Sequence, residues 1–155
     1  MLRQTGCHRA VLALVLLAGA LGVAPSIATP QAVGSSEATT AAEGPRFVAY
    51  YFHGNVRCAT CRKLEAYSDE AITGGFADQL AAGTLAWRVV NTDEPANRHF
   101  VQDFDLVTKS LVMVEYSDGM VVRFQNLPLI WQLVRDKDGF LKYVRDSTRS
   151  FIEQE

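Results

Sequence analysis

The sequence predicts an α/β domain in which a mixed four-stranded sheet carries helices on both faces. Short apolar runs alternate with amphipathic stretches in the order strand, helix, strand, helix, strand, strand, helix. The opening strand–helix–strand unit favours parallel pairing. The Asp118-Gly119 pair between two apolar runs is typical of a tight antiparallel hairpin. Both kinds of pairing in one chain imply a mixed sheet.

The elements follow from the spacing of the apolar residues. The four predicted strands are 47–52, 84–91, 111–116 and 120–124. The predicted helices are an amphipathic one from Cys58 to Gly74-Gly75, short ones over 76–82, from Glu94-Pro95 to Phe104 and over 129–135, and a last one capped by Asp138. The large side chains expected in the core include Trp87, Phe100, Phe104 and Trp131.

Residues 1–28 have the pattern of a secretory signal peptide. Basic residues precede an apolar run of about 14 residues, and the small-residue site Ser26-Ile27-Ala28 follows. The run is shorter than the ~20 residues of a membrane-spanning helix, and an uncleaved membrane anchor is the alternative. Residues 29–45 are small and polar and predict a flexible linker, so the folded domain is expected over 46–155. The predicted location is periplasmic or otherwise extracytoplasmic.

Composition excludes several classes of function. The formal net charge is −2 and the basic residues are scattered, whereas a nucleic-acid-binding domain needs a clustered basic face. The sequence shows no serine–histidine–acid arrangement, no phosphate-cradling glycine loop and no dinucleotide fingerprint. Contact with a membrane is expected only if the N-terminal segment is retained.

The chemistry-bearing motif is Cys58-Ala59-Thr60-Cys61. Cleavage of the signal peptide would remove Cys7 and leave this pair in a compartment where disulfides persist. Two cysteines three residues apart on a helix lie about one turn apart, on the same face. Backbone N–H groups at a helix start lower the pKa of an exposed thiol. We therefore expect Cys58 to be the attacking thiolate and Cys61 to resolve the mixed disulfide.

Other side chains around the pair have weaker assignments. Arg57, Arg62 and Lys63 would favour the thiolate if they lean over it. His53 could assist proton transfer or complete a metal site with the two cysteines, although a plain loop histidine is the favoured interpretation.

Two alternatives use the same sulfurs. A permanent disulfide would make the domain a non-catalytic adaptor, although so short a loop gives little entropic stabilisation. The reduced pair could instead bind Cu(I), which accepts two thiolates, whereas zinc would need His53 and a carboxylate as further ligands. No dissociable cofactor is implied, because the cysteine pair is itself the redox centre.

The span from Phe47 to Gly119 resembles the core of the thioredoxin superfamily. The matching motifs are C-A-T-C at the helix start, V-N-T-D-E-P after the second strand and S-D-G at the hairpin. The run Y-Y-F-H-G-N-V-R-C-A-T-C-R-K-L-E-A-Y further resembles a small bacterial family of exported thioredoxin-like proteins, some described as nitroaromatic-arsenical reductase subunits. The resemblance implies a thiol–disulfide oxidoreductase that acts on protein thiols and disulfides or relays electrons to a partner reductase.

The sequence departs from the thioredoxin pattern around the cysteines. Arg57 stands where thioredoxins have tryptophan, and Ala59-Thr60 replaces Gly-Pro. The loop 108–111 contains no proline where the family has a cis-proline. In the family this loop keeps metals off the dithiol, so its change here weakens that argument against metal capture. The family's buried acid corresponds to Phe52. Glu65, one turn beyond Cys61, could substitute, although a solvated helix position is the favoured interpretation.

Overall fold

The computed structural model describes residues 44–154, which form four strands, five α-helices and one short 3₁₀ helix. The strands are β1 (Phe47–His53), β2 (Leu85–Asn91), β3 (Ser110–Ser117) and β4 (Met120–Asn126). The α-helices are α1 (Ala59–Gly75), α2 (Ala77–Ala81), α3 (His99–Asp103), α4 (Ile130–Leu133) and α5 (Lys137–Glu153), and the 3₁₀ helix is Pro95–Asn97.

The sheet has the order β2-β1-β3-β4. The first two strands are parallel, with Phe47 opposite Leu85, whereas β3 is antiparallel to both β1 and β4. The hairpin turns at Asp118-Gly119, where both residues have positive φ (52° and 75°). Such φ values are those of the primed turns that suit hairpins. The prediction of an α/β fold with a mixed four-stranded sheet is confirmed.

Alternation along β1 places its side chains on two faces of the sheet. Phe47, Ala49 and Tyr51 pack into the larger core, together with apolar residues of α1, α4 and α5. The larger core also receives Trp87 and Trp131, both half-buried. The long amphipathic helices therefore cover one face, as a 3.6-residue apolar period requires.

The opposite face has a smaller core built from aromatic side chains. Val48, Tyr50 and Phe52 of β1 point to it, and Phe100 and Phe104 cover them from α3 and the residue after it. Phe104 is 1% exposed, and its ring lies 5.7 Å from the parallel ring of Phe100. Helices thus lie on both faces, and the predicted core position of these two phenylalanines is confirmed.

The start of the last helix differs from the prediction. Asp136 is the N-cap of α5, because its extended backbone lets Oδ1 accept the Gly139 N–H at 3.0 Å. Asp138 lies inside the first turn, where a carboxylate interacts favourably with the helix dipole but caps nothing. The assignment of Asp138 as the cap was wrong, since two aspartates at this spacing carry the same sequence signal.

The predicted signal peptide, linker and Cys7 lie outside the described residues, apart from the linker's last two positions. Within residues 44–154, no helix combines the length and apolar character needed to cross a membrane.

A buried carboxylate ties the strands to the C-terminal helix. Glu115 of β3 accepts hydrogen bonds from Arg46 Nε at 2.9 Å and from Arg123 Nε at 2.5 Å. Arg123 also donates to the carbonyls of Phe151 and Gln154 at the end of α5. Burial raises the pKa of Glu115, but the two arginine hydrogen bonds outweigh burial and hold the pKa below its usual value.

Replacing Glu115 tests this link. We expect Glu115→Gln to lower the free energy of unfolding at pH 7 by about 1–3 kcal/mol, because it removes charge-assisted hydrogen bonds. A carboxyl with a lowered folded pKa stabilises the fold above its unfolded pKa, and that stability is lost as the pH falls through the folded pKa. The difference between the two proteins, measured by urea unfolding, should therefore shrink below pH ~4.3.

Glu70→Gln is the matched control. Its ion pair with Lys137 has both side chains about half exposed, and such pairs contribute at most about 1 kcal/mol. A Glu115→Gln protein as stable as this control at pH 7 would contradict the assignment.

Candidate active site around Cys58 and Cys61

Cys58 is the N-cap of α1. Its backbone is extended (φ −75°, ψ 166°), and its sulfur accepts the N–H of Cys61 at 3.1 Å. The carbonyl of Cys58 accepts the N–H of Arg62, also at 3.1 Å. The sulfur therefore occupies the place of the side-chain oxygen that usually satisfies a free N–H at a helix start. The expectation that both cysteines lie within the helix needs this correction: only Cys61 does.

The two sulfurs are bonded, and they differ sharply in exposure. Cys58 and Cys61 form a disulfide across a Cα–Cα distance of 5.1 Å. Cys58 is exposed at the helix tip, as are Ala59 and Thr60, whereas Cys61 is 3% exposed. A reagent approaching from solvent therefore meets Cys58 before Cys61.

Tyr51 is hydrogen-bonded to the first turn of α1. Its phenol, on the neighbouring strand β1, donates a hydrogen bond to the carbonyl of Cys61 at 2.9 Å. Burial, and secondarily the charge of Glu65, raise the pKa of Tyr51 above its usual value. The phenol therefore stays protonated and remains a donor, which fixes the first turn of α1 to the central strand.

The Arg57 side chain forms a cluster with Glu65 and His53 beside α1. One end of its guanidinium pairs with Glu65, and Nη1 lies 3.1 Å from Nε2 and 3.4 Å from Nδ1 of His53. Nη1 of Arg57 therefore lies beside the imidazole, within reach of both ring nitrogens. Arg57 Nε is buried and has no hydrogen-bond partner. The interpretation of Glu65 as a solvated helix residue is wrong, since its side chain is only 28% exposed and paired.

His53 is engaged within its own loop. Its Nδ1 lies 2.9 Å from the carbonyl of Gly54 and donates to it in the Nδ1–H tautomer. Among residues 44–154, no three histidine, cysteine, aspartate or glutamate side chains are grouped so as to hold a metal ion. The structure therefore does not assemble Cys58, Cys61 and His53 as the ligand set of the metal alternative.

A clasp of polar residues holds the loop that leads to Cys58. Asp93 accepts the N–H of Asn55 at 2.7 Å, and the amide of Asn91 donates to Asn55 Oδ1 at 2.8 Å. Thr92 donates its N–H to the carbonyl of His53 at 2.8 Å. Gly54 makes this approach possible, because a Cβ there would lie 2.8 Å from Asp93 Oδ2.

The V-N-T-D-E-P motif contributed to the prediction only through its resemblance, so the roles of Asn91, Thr92 and Asp93 in this clasp were not predicted. The signal available was a cluster of short polar side chains directly after a strand, which favours turns and loop hydrogen bonds. Nothing in that signal identifies Asn55 as the partner.

A groove of about 280 Å³ lies beside this loop. It is lined by the end of β1 and the segments that follow β1, follow β2 and precede β3. The lining residues include His53, Val56, Asp93, Val107 and Lys109. Val56 is 76% exposed and Val107 is 95% exposed. The proline-free segment before β3 is held by Trp131, whose indole N–H donates to the Lys109 carbonyl at 2.9 Å.

Comparisons with known proteins add little. No model of a known protein family matches the chain, and no curated protein matches it. A thioredoxin from Thermus thermophilus is similar in structure, with 18% identity and a TM-score of 0.41, covering 66% of this chain and 73% of that one. A structure described as a malarial protein has 11% identity and a TM-score of 0.34, covering 52% of this chain and 80% of that one. What the site can do follows from its own geometry.

Removal of the Asp93 carboxylate tests the clasp. We expect Asp93→Ala to accelerate hydrogen exchange of the Asn55 amide by about tenfold to a hundredfold, since a hydrogen bond to a charged group contributes roughly 1.5–3 kcal/mol. Amides of β3 should keep their wild-type rates.

Asp78→Ala on α2 provides the comparison, because Asp78 is exposed and far along the chain from the loop. Equal exchange rates at Asn55 in both variants would show that the clasp does not order the loop.

Proposed function

We propose that this protein is a thiol–disulfide oxidoreductase whose redox centre is the Cys58–Cys61 pair. The observation that carries the proposal is the inequality of the two sulfurs: one is exposed at the helix tip and the other is buried one turn deeper. Disulfide exchange needs one thiol that a partner can reach and a second that only the first can reach.

The geometry suits a two-step exchange. In the reduced protein, the Cys58 thiolate attacks a substrate disulfide, forms a mixed disulfide with one sulfur and releases the other as a thiol once it takes up a proton. Cys61 then loses its proton and attacks the Cys58 sulfur. This step forms the Cys58–Cys61 disulfide and releases the second substrate thiol, so that two electrons pass to the substrate. The reverse sequence oxidises a substrate dithiol.

The helix start favours the thiolate of Cys58. The Cys61 N–H, which points at the Cys58 sulfur in the disulfide form, is placed to stabilise negative charge there after reduction. A charged acceptor strengthens such a hydrogen bond, and the positive end of the helix dipole acts in the same direction. The pKa of Cys58 should therefore lie below the ~8.5 of an unperturbed thiol.

The groove beside the active-site loop suits a polypeptide partner. Exposed Val56 and Val107 offer apolar contacts, while Asp93 and Lys109 offer one charge of each sign. We propose that the substrates are protein disulfides or dithiols, or that a partner reductase docks here. The signal-like N-terminus supports a site of action outside the cytoplasm.

Two single variants in a Cys7→Ser background test the order of attack. Incubated reduced with glutathione disulfide, Cys61→Ser should retain one glutathione on Cys58, because the resolving thiol is missing. Cys58→Ser should react about 100-fold more slowly, because Cys61 is buried. Intact-mass spectrometry reads both outcomes.

The protein with both cysteines is the control and should release its adduct as the internal disulfide forms. Equal reaction rates of the two variants would contradict the proposal. Tight binding of one Cu(I) per dithiol without disulfide exchange would favour the metallochaperone alternative. If a Cys58→Ser/Cys61→Ser protein retained its function, the result would favour the alternative of a non-catalytic adaptor whose disulfide is only structural.

A further inference from the structure

The Arg57–Glu65 pair lies where it can act on both cysteines. Arg57 immediately precedes Cys58, and Glu65 follows Cys61 by four residues, which is about one helical turn on the same face. The charge of Glu65 reaches the interior, since it raises the pKa of Tyr51, whose phenol donates to the Cys61 carbonyl. Both side chains are about one quarter exposed, so solvent screens them only in part.

The pairing also limits what Arg57 can do alone. A free cation next to Cys58 would stabilise its thiolate, but here the guanidinium pairs with the Glu65 carboxylate and lies beside the His53 imidazole. Glu65 by itself would oppose a second negative charge at either sulfur. The two charges therefore act on the dithiol in opposite directions, and their pairing cancels most of the net effect.

We propose that Glu65 restrains the thiolate-stabilising charge of Arg57, so that the pairing of these two residues keeps the proton affinity and the reduction potential of the Cys58–Cys61 dithiol near those of a site that carries neither charge. This inference deepens the proposed function and rests on it. Neither residue needs to touch the substrate, so both are positioning residues that act through the cysteines.

Other charged groups around the site differ in placement from this pair. Arg62 and Lys63 are exposed on the first turn of α1. Asp93 accepts a hydrogen bond from the Asn55 N–H, and Lys109 lines the same groove as His53. Arg62 is therefore the suitable control, because it is next to Cys61 in sequence but is exposed to solvent.

The experiment compares four changes at the pair in a Cys7→Ser background. The variants are Glu65→Gln, Arg57→Gln, the double variant and the conservative Arg57→Lys, with Arg62→Gln as the control. The pKa of Cys58 is read from the pH dependence of alkylation of the reduced protein. The reduction potential is read from equilibrium with glutathione at pH 7, and thermal unfolding shows whether each variant is folded.

Glu65→Gln and Arg57→Gln should shift the pKa of Cys58 and the reduction potential in opposite directions. Glu65→Gln frees the charge of Arg57, so the pKa of Cys58 should fall by about half a unit. The equilibrium at pH 7 should then move towards the dithiol by at most about threefold, which is ~14 mV for a two-electron couple. Arg57→Gln leaves Glu65 unpaired, so both quantities should move the other way. The double variant and Arg57→Lys should lie near the unsubstituted protein, as should Arg62→Gln.

A purely structural role gives a different pattern. If the pair only holds the loop, both single variants loosen it alike, and shifts in the same direction would overturn the inference while leaving the proposed function standing. An Arg62→Gln shift as large as that of Arg57→Gln would also overturn it. Absence of any reversible couple in the unsubstituted protein would overturn the proposed function and this inference together.

Discussion

The contact on which the site depends is the hydrogen bond from the Cys61 N–H to the Cys58 sulfur. It makes Cys58 the cap of α1, and one helical turn then separates an exposed sulfur from a buried one. Without this cap, the first N–H groups of the helix would need another acceptor. The same contact thus begins the helix, places Cys58 one turn outside Cys61 and favours negative charge on the Cys58 sulfur.

The rest of the domain keeps that helix start in place. Tyr51 fixes the first turn of α1 to the central strand, while Asp93 and Asn91 hold the loop that precedes it. The larger and the smaller core, on opposite faces of the sheet, leave β1 little freedom, since its first six residues are all buried. Rigid support of this kind would serve the proposed exchange, in which the incoming sulfur must line up with the bond it breaks.

Local patterns were sufficient for the fold and for the cysteine pair. The apolar run of β1, the helical period of α1 and the Asp118-Gly119 turn each carry their signal within a few residues, and all three were predicted correctly. The Asn55–Asp93 clasp joins residues 38 apart, and the contact of Arg57 with His53 depends on side-chain directions. Neither has a periodic signature. Glu65 was misjudged for the same reason, because its partner lies outside the helix and a helix pattern reports only neighbours within it.

The most direct measurement is a redox titration of the folded protein in dithiothreitol buffers of graded potential. Thiol content follows the Cys58–Cys61 bond, and far-ultraviolet circular dichroism follows the sheet and helices. The account predicts one reversible two-electron transition with an unchanged dichroism signal, because only the exposed sulfur needs to be reached. A disulfide that opens only as the dichroism signal is lost would contradict it, since the bridge would then be a structural staple.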